Sequence, residues 1–246
     1  EEFKKTYLNL KITPLGEKLI DTYNLNGYIH KSQLKKYFSN TIYFYLENSS
    51  ENNLEELNRY LERKTINLCN YDEQKSFSIF SHYIFALIDE GNPFLAIQEI
   101  NNYSNNFQTT KHKNAILLLK MYCSHKDDND NTTITIGKSL ISSYKQNTLS
   151  ISNSGLYQSI INGDIDISKV YQLIITSLMK NNSNTLALNY SKECITNKKL
   201  QYDGYLLNHG IILYSLNRKI EACKYINEEY LNGNENAKRF LEDFCE

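Results

Sequence analysis

The C-terminal part of the chain has the clearest pattern of hydrophobic and polar positions. From Gly204 to Cys245, apolar residues recur every three or four positions, stop at Asn217 and Arg218, and then resume. This spacing places apolar side chains on one face of an α-helix, so it predicts two helices joined by a short turn and the start of a third. The two apolar runs are Tyr205, Leu206, Ile212, Leu213 and Leu216, and Ile220, Ala222, Cys223, Ile226 and Tyr230.

Small residues stand at matching places in this pattern. Gly210 and Ala222 are twelve positions apart, so a point without a side chain on one helix can face a methyl group on the next and let the backbones approach closely. Ala187 and Ala96 fit the same frame, each after its own run of apolar residues. We therefore expect Ala96, Ala187 and Ala222 each to mark a place where a helix presses tightly on the preceding one.

This spacing resembles a tetratricopeptide repeat, a helical hairpin of about 34 residues. The matching positions are Leu206, Gly210, Leu213, Ala222 and Ile226, and the sequence differs from the family at His209, Glu229 and Asn234. The resemblance extends over roughly residues 72 to 246. It implies an all-α fold in which helical hairpins stack as a TPR-like α-solenoid. It identifies a scaffold without identifying a task.

The chain divides into two predicted parts. Residues 1–70 form a helical N-terminal section that lacks the small-residue pair, and residues 71–246 form the TPR-like array. We expect a long loop from His125 to Asn131 in a degenerate unit, and an irregular segment at 146–167 around a short helix near 156–161. Apolar spacing after Glu235 predicts a final helix that caps the open end of the array.

Composition narrows the class of protein. Hydrophobic residues make up 41% of the 246 residues, and only two prolines and nine glycines interrupt them, which favours long helices. A net charge of −1 spread along the chain gives no reason to expect a nucleic-acid partner. No run of eighteen apolar residues exists, so we expect no membrane span. The chain starts with Glu1, so a signal peptide or a further domain upstream stays open.

The five cysteines have no paired spacing. Most of them fall on predicted apolar helix faces, so we expect buried free thiols in a reducing compartment, and hence a cytoplasmic protein. They are Cys69, Cys123, Cys194, Cys223 and Cys245.

Several short motifs are weak matches to binding or catalytic signatures. The sequence from Gly137 to Ser139 has the end of a phosphate-binding loop, but Thr132 replaces its first glycine, so a plain helix turn is expected. The segment from Thr22 to Gln33 echoes a calcium loop but lacks its carboxylates. Asp127, Asp128 and Asp130 are expected to be a solvated charge cluster, and the Cys123 and His125 pair lacks partners for zinc.

His82, His112 and His209 lie in predicted helices, where hydrogen-bonded histidines at packing surfaces are expected rather than catalytic bases. We therefore predict no catalytic residue, no cofactor and no metal. An enzyme or enzyme subunit remains the third hypothesis.

The resemblance implies that first helices line a concave groove, where a peptide or protein partner would lie. Its predicted lining is Ser81, Phe85, Ile88, Gln172, Thr176, Met179, Asn208, Ile211 and Tyr214. The leading hypothesis is a non-enzymatic module that binds a peptide or protein partner. A specific version of it is the sensor part of a peptide-responsive regulator. The alternative is an immunity or inhibitor protein that neutralises a partner toxin or enzyme by capping its surface. Association between copies of the chain is left open.

Overall fold

The structure is a computed structural model that describes residues 73–89 and 91–245, and this part of the chain is helical with no β-strand. The predicted N-terminal section, Cys69 and the calcium-loop echo at 22–33 lie outside the described residues. The helices are α1 (Glu73–Asp89), α2 (Pro93–Tyr103), α3 (Thr110–Lys126), α4 (Asp130–Lys145), α5 (Leu156–Asn162), α6 (Ile167–Lys180), α7 (Asn184–Thr196), α8 (Tyr205–Ser215), α9 (Lys219–Leu231) and α10 (Glu235–Phe244). Two short 3₁₀ helices follow α2 and α7, at Ser104–Asn106 and Lys198–Leu200.

Local chemistry sets where these helices begin and end. Pro93 opens α2, at a position where no backbone hydrogen bond is lost. The side chain of Asp166 accepts a hydrogen bond from the Lys169 N–H and caps the start of α6. The turns after α6 and α8 contain Asn182 and Asn217 with φ of 54° and 61°, a left-handed conformation that asparagine tolerates.

The helices pack mostly against their neighbours in sequence. Pairs α1 and α2, α3 and α4, α6 and α7, and α8 and α9 are in contact, and α2, α4, α7 and α9 also pack on α3, α6, α8 and α10 respectively. In addition, α1 contacts α3, α3 contacts α6, and α6 contacts α8. The short helix α5 departs from this order because it packs on α1 and α3. A single set of buried apolar residues therefore runs through the described helices.

The three predicted alanines lie where they were expected. Ala96, Ala187 and Ala222 are all 0% exposed. Gly210 is buried as well, and a Cβ built on it would come within 3.1 Å of the Ala222 carbonyl oxygen, so α8 and α9 do approach closely at this pair. The tight approach is confirmed at Gly210 and Ala222, whereas for Ala96 and Ala187 the burial is observed and the tight approach stays a prediction.

The connections are partly as predicted. The expected long loop from His125 to Asn131 is wrong, since α3 continues to Lys126 and α4 begins at Asp130. The irregular segment at 146–167 contains the predicted short helix as α5, together with a parallel bridge between Ile151 and Ile165. The final helix is present as α10.

The cysteine prediction is wrong for two of the four described thiols. Cys123 and Cys194 are free and buried, but Cys223 on α9 and Cys245 after α10 form a disulfide with a Cα–Cα distance of 5.8 Å. A disulfide is typical of oxidising environments, so the argument from cysteines for a reducing compartment loses its basis.

Candidate functional site

The first three predicted groove residues are buried on α1. Ser81, Phe85 and Ile88 are 0%, 6% and 7% exposed. The Phe85 ring lies 4.7 Å from the ring of Tyr157 on α5 and 6.0 Å from that of Tyr122 on α3, measured between centroids. α5 and α3 therefore cover Phe85, and the low exposure of all three side chains leaves almost no surface to offer a partner. Local spacing could not predict this cover, since α5 lies some seventy residues further along the chain.

The three predicted residues on α6 are partly exposed. The Lys169 Nζ donates a hydrogen bond to the Gln172 side-chain oxygen at 2.9 Å, and the Thr176 hydroxyl donates to the Gln172 backbone oxygen at 2.9 Å. Met179, one turn further along, packs its inner side against the core. This stretch of α6 therefore presents an amide, a methyl-bearing hydroxyl and a flexible thioether at the surface.

The three predicted residues on α8 are also partly exposed. Asn208 Nδ2 donates a hydrogen bond to the Tyr202 hydroxyl at 3.1 Å. The Tyr214 ring lies edge-on to Phe240 and Phe244 of α10, at centroid distances of 5.6 and 5.5 Å. Because α6 packs against α8, the two rows lie on neighbouring helices. We call them together the α6–α8 surface, defined by Gln172, Thr176, Met179, Asn208, Ile211 and Tyr214.

A pocket of about 450 Å³ opens at one end of α8, and sequence analysis did not identify it. Its lining comes from residues 202–205, Glu229 and residues 232–236, that is, from the loop before α8, the end of α9 and the start of α10. We call it the Tyr202 pocket. Burial raises the pKa of Tyr202, an effect opposed by the hydrogen bond with Asn208. The pocket was missed because three separate segments build it, and none of them carries a recognisable motif.

The described histidines make hydrogen bonds, as predicted for packing positions. His112 Nδ1 lies 2.7 Å from Glu73 Oε1 and its Nε2 lies 2.9 Å from Gln74 Oε1. His209 Nδ1 lies 2.8 Å from the Ser191 hydroxyl, and both residues are at most 3% exposed. A substrate has no access to a serine and histidine pair buried this deeply. The side chain of His82 lies outside what the structure describes.

The charged groups and the thiol around the α3–α4 turn do not form one site. Asp128 pairs with Lys180 at 2.7 Å, and this hydrogen-bonded ion pair lowers the pKa of Asp128. Cys123 is fully buried, and burial raises the pKa of its thiol to about 12. Within residues 73–89 and 91–245, no three His, Cys, Asp or Glu side chains are grouped closely enough to hold a metal ion. Gly137 lies in the middle of α4, so the segment from 137 to 139 is a helix turn, as expected.

No protein-family model, curated protein or solved structure matches the chain. No described helix combines the length and apolar character needed to cross a membrane.

Proposed function

We propose that residues 73–245 are a non-enzymatic binding module that holds a peptide or protein segment along the α6–α8 surface. The observation that supports it is the row of six partly exposed side chains on two neighbouring helices. Met179, Ile211 and Tyr214 offer apolar contacts, while Gln172, Thr176 and Asn208 offer amide and hydroxyl groups. An extended or helical peptide is recognised by this combination of apolar pockets and a few hydrogen bonds.

The scaffold of this proposal is a TPR-like α-solenoid. In support of it, α2, α4, α7 and α9 each pack on the first helix of the following pair, and first helices pack on one another from α1 to α8. Such nearest-neighbour contacts are how repeat proteins share a core. The curvature of such a stack would place the α6–α8 surface in a concave groove, with the half-exposed Phe244 at one end. The same groove would serve a peptide-responsive regulator as its sensor.

A peptide selection tests the proposal directly. Peptides selected from a random library on the wild-type protein are measured against Ile211→Asp and, as a matched control, Ile220→Asp on the outer side of α9. Ile220 is 92% exposed, so the control adds the same charge without touching the α6–α8 surface. We expect at least roughly tenfold weaker binding to Ile211→Asp, because burying an unpaired carboxylate against a ligand is costly.

Thr176→Arg provides a second variant, since this partly exposed residue can be enlarged with little risk to folding. Thermal unfolding of each variant separates loss of binding from loss of fold. Equal binding by wild type, Ile211→Asp and Thr176→Arg would overturn the proposal. The capping alternative predicts a different result. A partner enzyme would lose activity in a stoichiometric complex, and Ile211→Asp and Thr176→Arg would inhibit it as well as the wild type does.

A further inference from the structure

One end of the α6–α8 surface is built partly by α10. The Tyr214 ring at that end lies edge-on to Phe240 and Phe244, whose own rings are 4.6 Å apart between centroids. Phe244 is 50% exposed and Phe240 is partly exposed. The two phenylalanines therefore place accessible aromatic surface beside Tyr214. We call this pair the aromatic wall, defined by Phe240 and Phe244.

The aromatic wall also holds Tyr214 in position. Its two rings contact the tyrosine from α10, and Lys219 Nζ of α9 lies over the same ring, 5.3 Å from its centroid. A side chain that is already held in one position loses little conformational freedom when a partner binds, and this favours binding. The docked α10 therefore contributes both contact surface and preorganisation to this end of the α6–α8 surface.

Apart from the wall, α10 has few attachments. It packs on α9, and Ala237 is its only fully buried residue. Its start follows α9 directly, and there Asn234 Nδ2 donates a hydrogen bond to Glu229 at 3.1 Å. Its far end is held by the disulfide between Cys245 and Cys223 of α9. Because the aromatic wall lies in the second half of α10, the disulfide is the bond that keeps the wall docked.

The disulfide is accessible to a reductant. Cys223 and Cys245 are both partly exposed. Cys123 and Cys194 are at most 1% exposed, and burial raises the pKa of each of their thiols to about 12. These two buried thiols therefore form little thiolate and do not compete for exchange with the disulfide. Exposed disulfides are the ones that are reduced and re-formed most readily.

We propose that the disulfide between Cys223 and Cys245 is a redox switch that controls partner binding at the α6–α8 surface. With the disulfide formed, α10 is docked and the aromatic wall stands beside Tyr214. With the disulfide reduced, the second half of α10 leaves α9 and the wall is lost, so the partner binds more weakly. This inference rests on the proposed function, because it names how binding at that surface is regulated.

The reductant is a dithiol. One of its thiolates attacks a sulfur of the disulfide, which breaks the bond between Cys223 and Cys245 and leaves a mixed disulfide and one cysteine thiolate. The second thiol of the reductant then attacks the mixed disulfide, closes the reductant's own disulfide and releases the other cysteine. Two electrons and two protons pass in all from the dithiol to the two cysteines. The reverse reaction with the oxidised form of the same reagent restores the switch.

A fluorescence reporter follows α10 without any ligand. The chain contains no tryptophan, so Phe240→Trp introduces a single emitter on α10 beside Tyr214. The protein is equilibrated with mixtures of reduced and oxidised dithiothreitol. As the disulfide opens, we expect the emission maximum to move to the red and acrylamide quenching to increase, and both changes to reverse on reoxidation. Far-UV circular dichroism should keep nearly all of its helical signal, since only α10 is released.

Binding is measured in the same mixtures with peptides selected on the wild-type protein with its disulfide formed. We expect roughly tenfold weaker binding to the reduced protein, with the same midpoint as the fluorescence change. The Cys223→Ser and Cys245→Ser double variant should bind like the reduced wild type in every mixture.

Phe240→Ala combined with Phe244→Ala keeps the disulfide but removes the aromatic wall, so this variant should bind weakly in both redox states. Phe94→Ala is the matched control, because Phe94 is an exposed aromatic residue on α2, and it should leave the redox response unchanged.

The switch and the proposed function can fail separately. Equal binding by the oxidised and reduced protein, a tryptophan signal that does not move once the thiols are shown to be free, or loss of the whole fold on reduction would overturn the switch. If such peptides still distinguish wild type from Ile211→Asp, the proposed function stands. If they bind wild type and Ile211→Asp equally, the proposed function fails and the control of binding fails with it, while the tryptophan signal still shows whether the disulfide holds α10.

Discussion

Gly210 and Ile226 are in contact so closely that no side chain fits between them. A Cβ on residue 210 would lie 2.4 Å from Cγ1 of Ile226 and 3.1 Å from the backbone oxygen of Ala222. The first distance is far shorter than two carbon atoms tolerate, and Cγ1 lies too near the Ile226 backbone to move away freely. The packing of α8 on α9 therefore depends on the absence of a side chain at this one position.

Gly210→Ala should destabilise the protein by about 2 kcal/mol. Overpacking costs about 1 to 3 kcal/mol, the 2.4 Å approach to Ile226 places this site at the upper end of that range, and the better helix propensity of alanine returns about 1. The measurement is the free energy of unfolding in urea. Gly137→Ala on α4 is a graded control, because its Cβ would meet the mobile Cε of Met121 at 2.8 Å and Cβ of Ile174 at 3.2 Å, so we expect a smaller loss. Unchanged or higher stability of Gly210→Ala would contradict the packing argument.

The sequence predicted the helices and the contacts within a hairpin better than it predicted the packing between segments far apart in the chain. Helical spacing and small residues such as Gly210 and Ala222 are encoded within about one hairpin, so the helices and their tight approaches could be predicted. The cover that buries Phe85 could not, because α5 folds back onto α1 across three intervening helices and nothing in the local spacing encodes that contact. The Tyr202 pocket was hidden for the same reason. It joins the turn after α9 to a loop some thirty residues earlier.

The disulfide between Cys223 and Cys245 should stabilise the attachment of α10. Among the residues of this helix only Ala237 is fully buried, so its packing alone holds it weakly. Closing a loop with a sequence separation of 22 residues contributes about 3 kcal/mol in the chain-entropy account. Thermal unfolding with and without dithiothreitol should show a lower midpoint under reduction, with amide exchange rising first in α10.

The Cys223→Ser and Cys245→Ser double variant is the control for that experiment. It should unfold like the reduced wild type and should not respond to dithiothreitol, since Cys123 and Cys194 are free thiols. If reductant lowers the midpoint of the double variant as well, the effect does not come from this disulfide.

His209 should make stability fall between pH 6.5 and about 4. Burial, aided by the charges of Lys192 and Arg218 and opposed by Glu221, lowers the pKa of His209 from 6.5 to about 4. The unfolded chain then binds the proton more readily, so the contribution of His209 is fully present above pH 6.5 and is lost as the pH falls towards 4. The full loss is on the order of 3 kcal/mol.

An NMR titration of the His209 ring measures its pKa directly, and urea unfolding at several pH values measures the linked stability. His209→Gln retains a hydrogen-bonding group for Ser191 but does not titrate, so its stability should depend less on pH in this window. A ring pKa near 6.5 in the folded protein, or the same pH dependence in both proteins, would rule out this linkage.

Glu73 should also make stability depend on pH, but at lower pH than His209, because its group is a carboxylate. Partial burial raises the pKa of Glu73, but hydrogen bonds from His112 and Thr109 outweigh it and lower the pKa from 4.5 to about 2. Glu73 Oε1 also accepts the Gln108 N–H at 3.0 Å, so one oxygen ties α1 to the start of α3. A folded pKa below the unfolded one contributes stability that is present above pH 4.5 and lost as the pH falls to about 2.

Glu73→Gln should therefore lose about 2 kcal/mol at neutral pH and differ little from wild type near pH 2, a magnitude reduced for the partial exposure of the carboxylate. The measurement is the free energy of unfolding at both ends of the window. Asp89→Asn, an exposed carboxylate on the same helix, is the matched control and should change stability little at either pH. If Glu73→Gln lost as much free energy of unfolding at pH 2 as at neutral pH, the shape of the side chain, and not its charge, would hold α1 to α3.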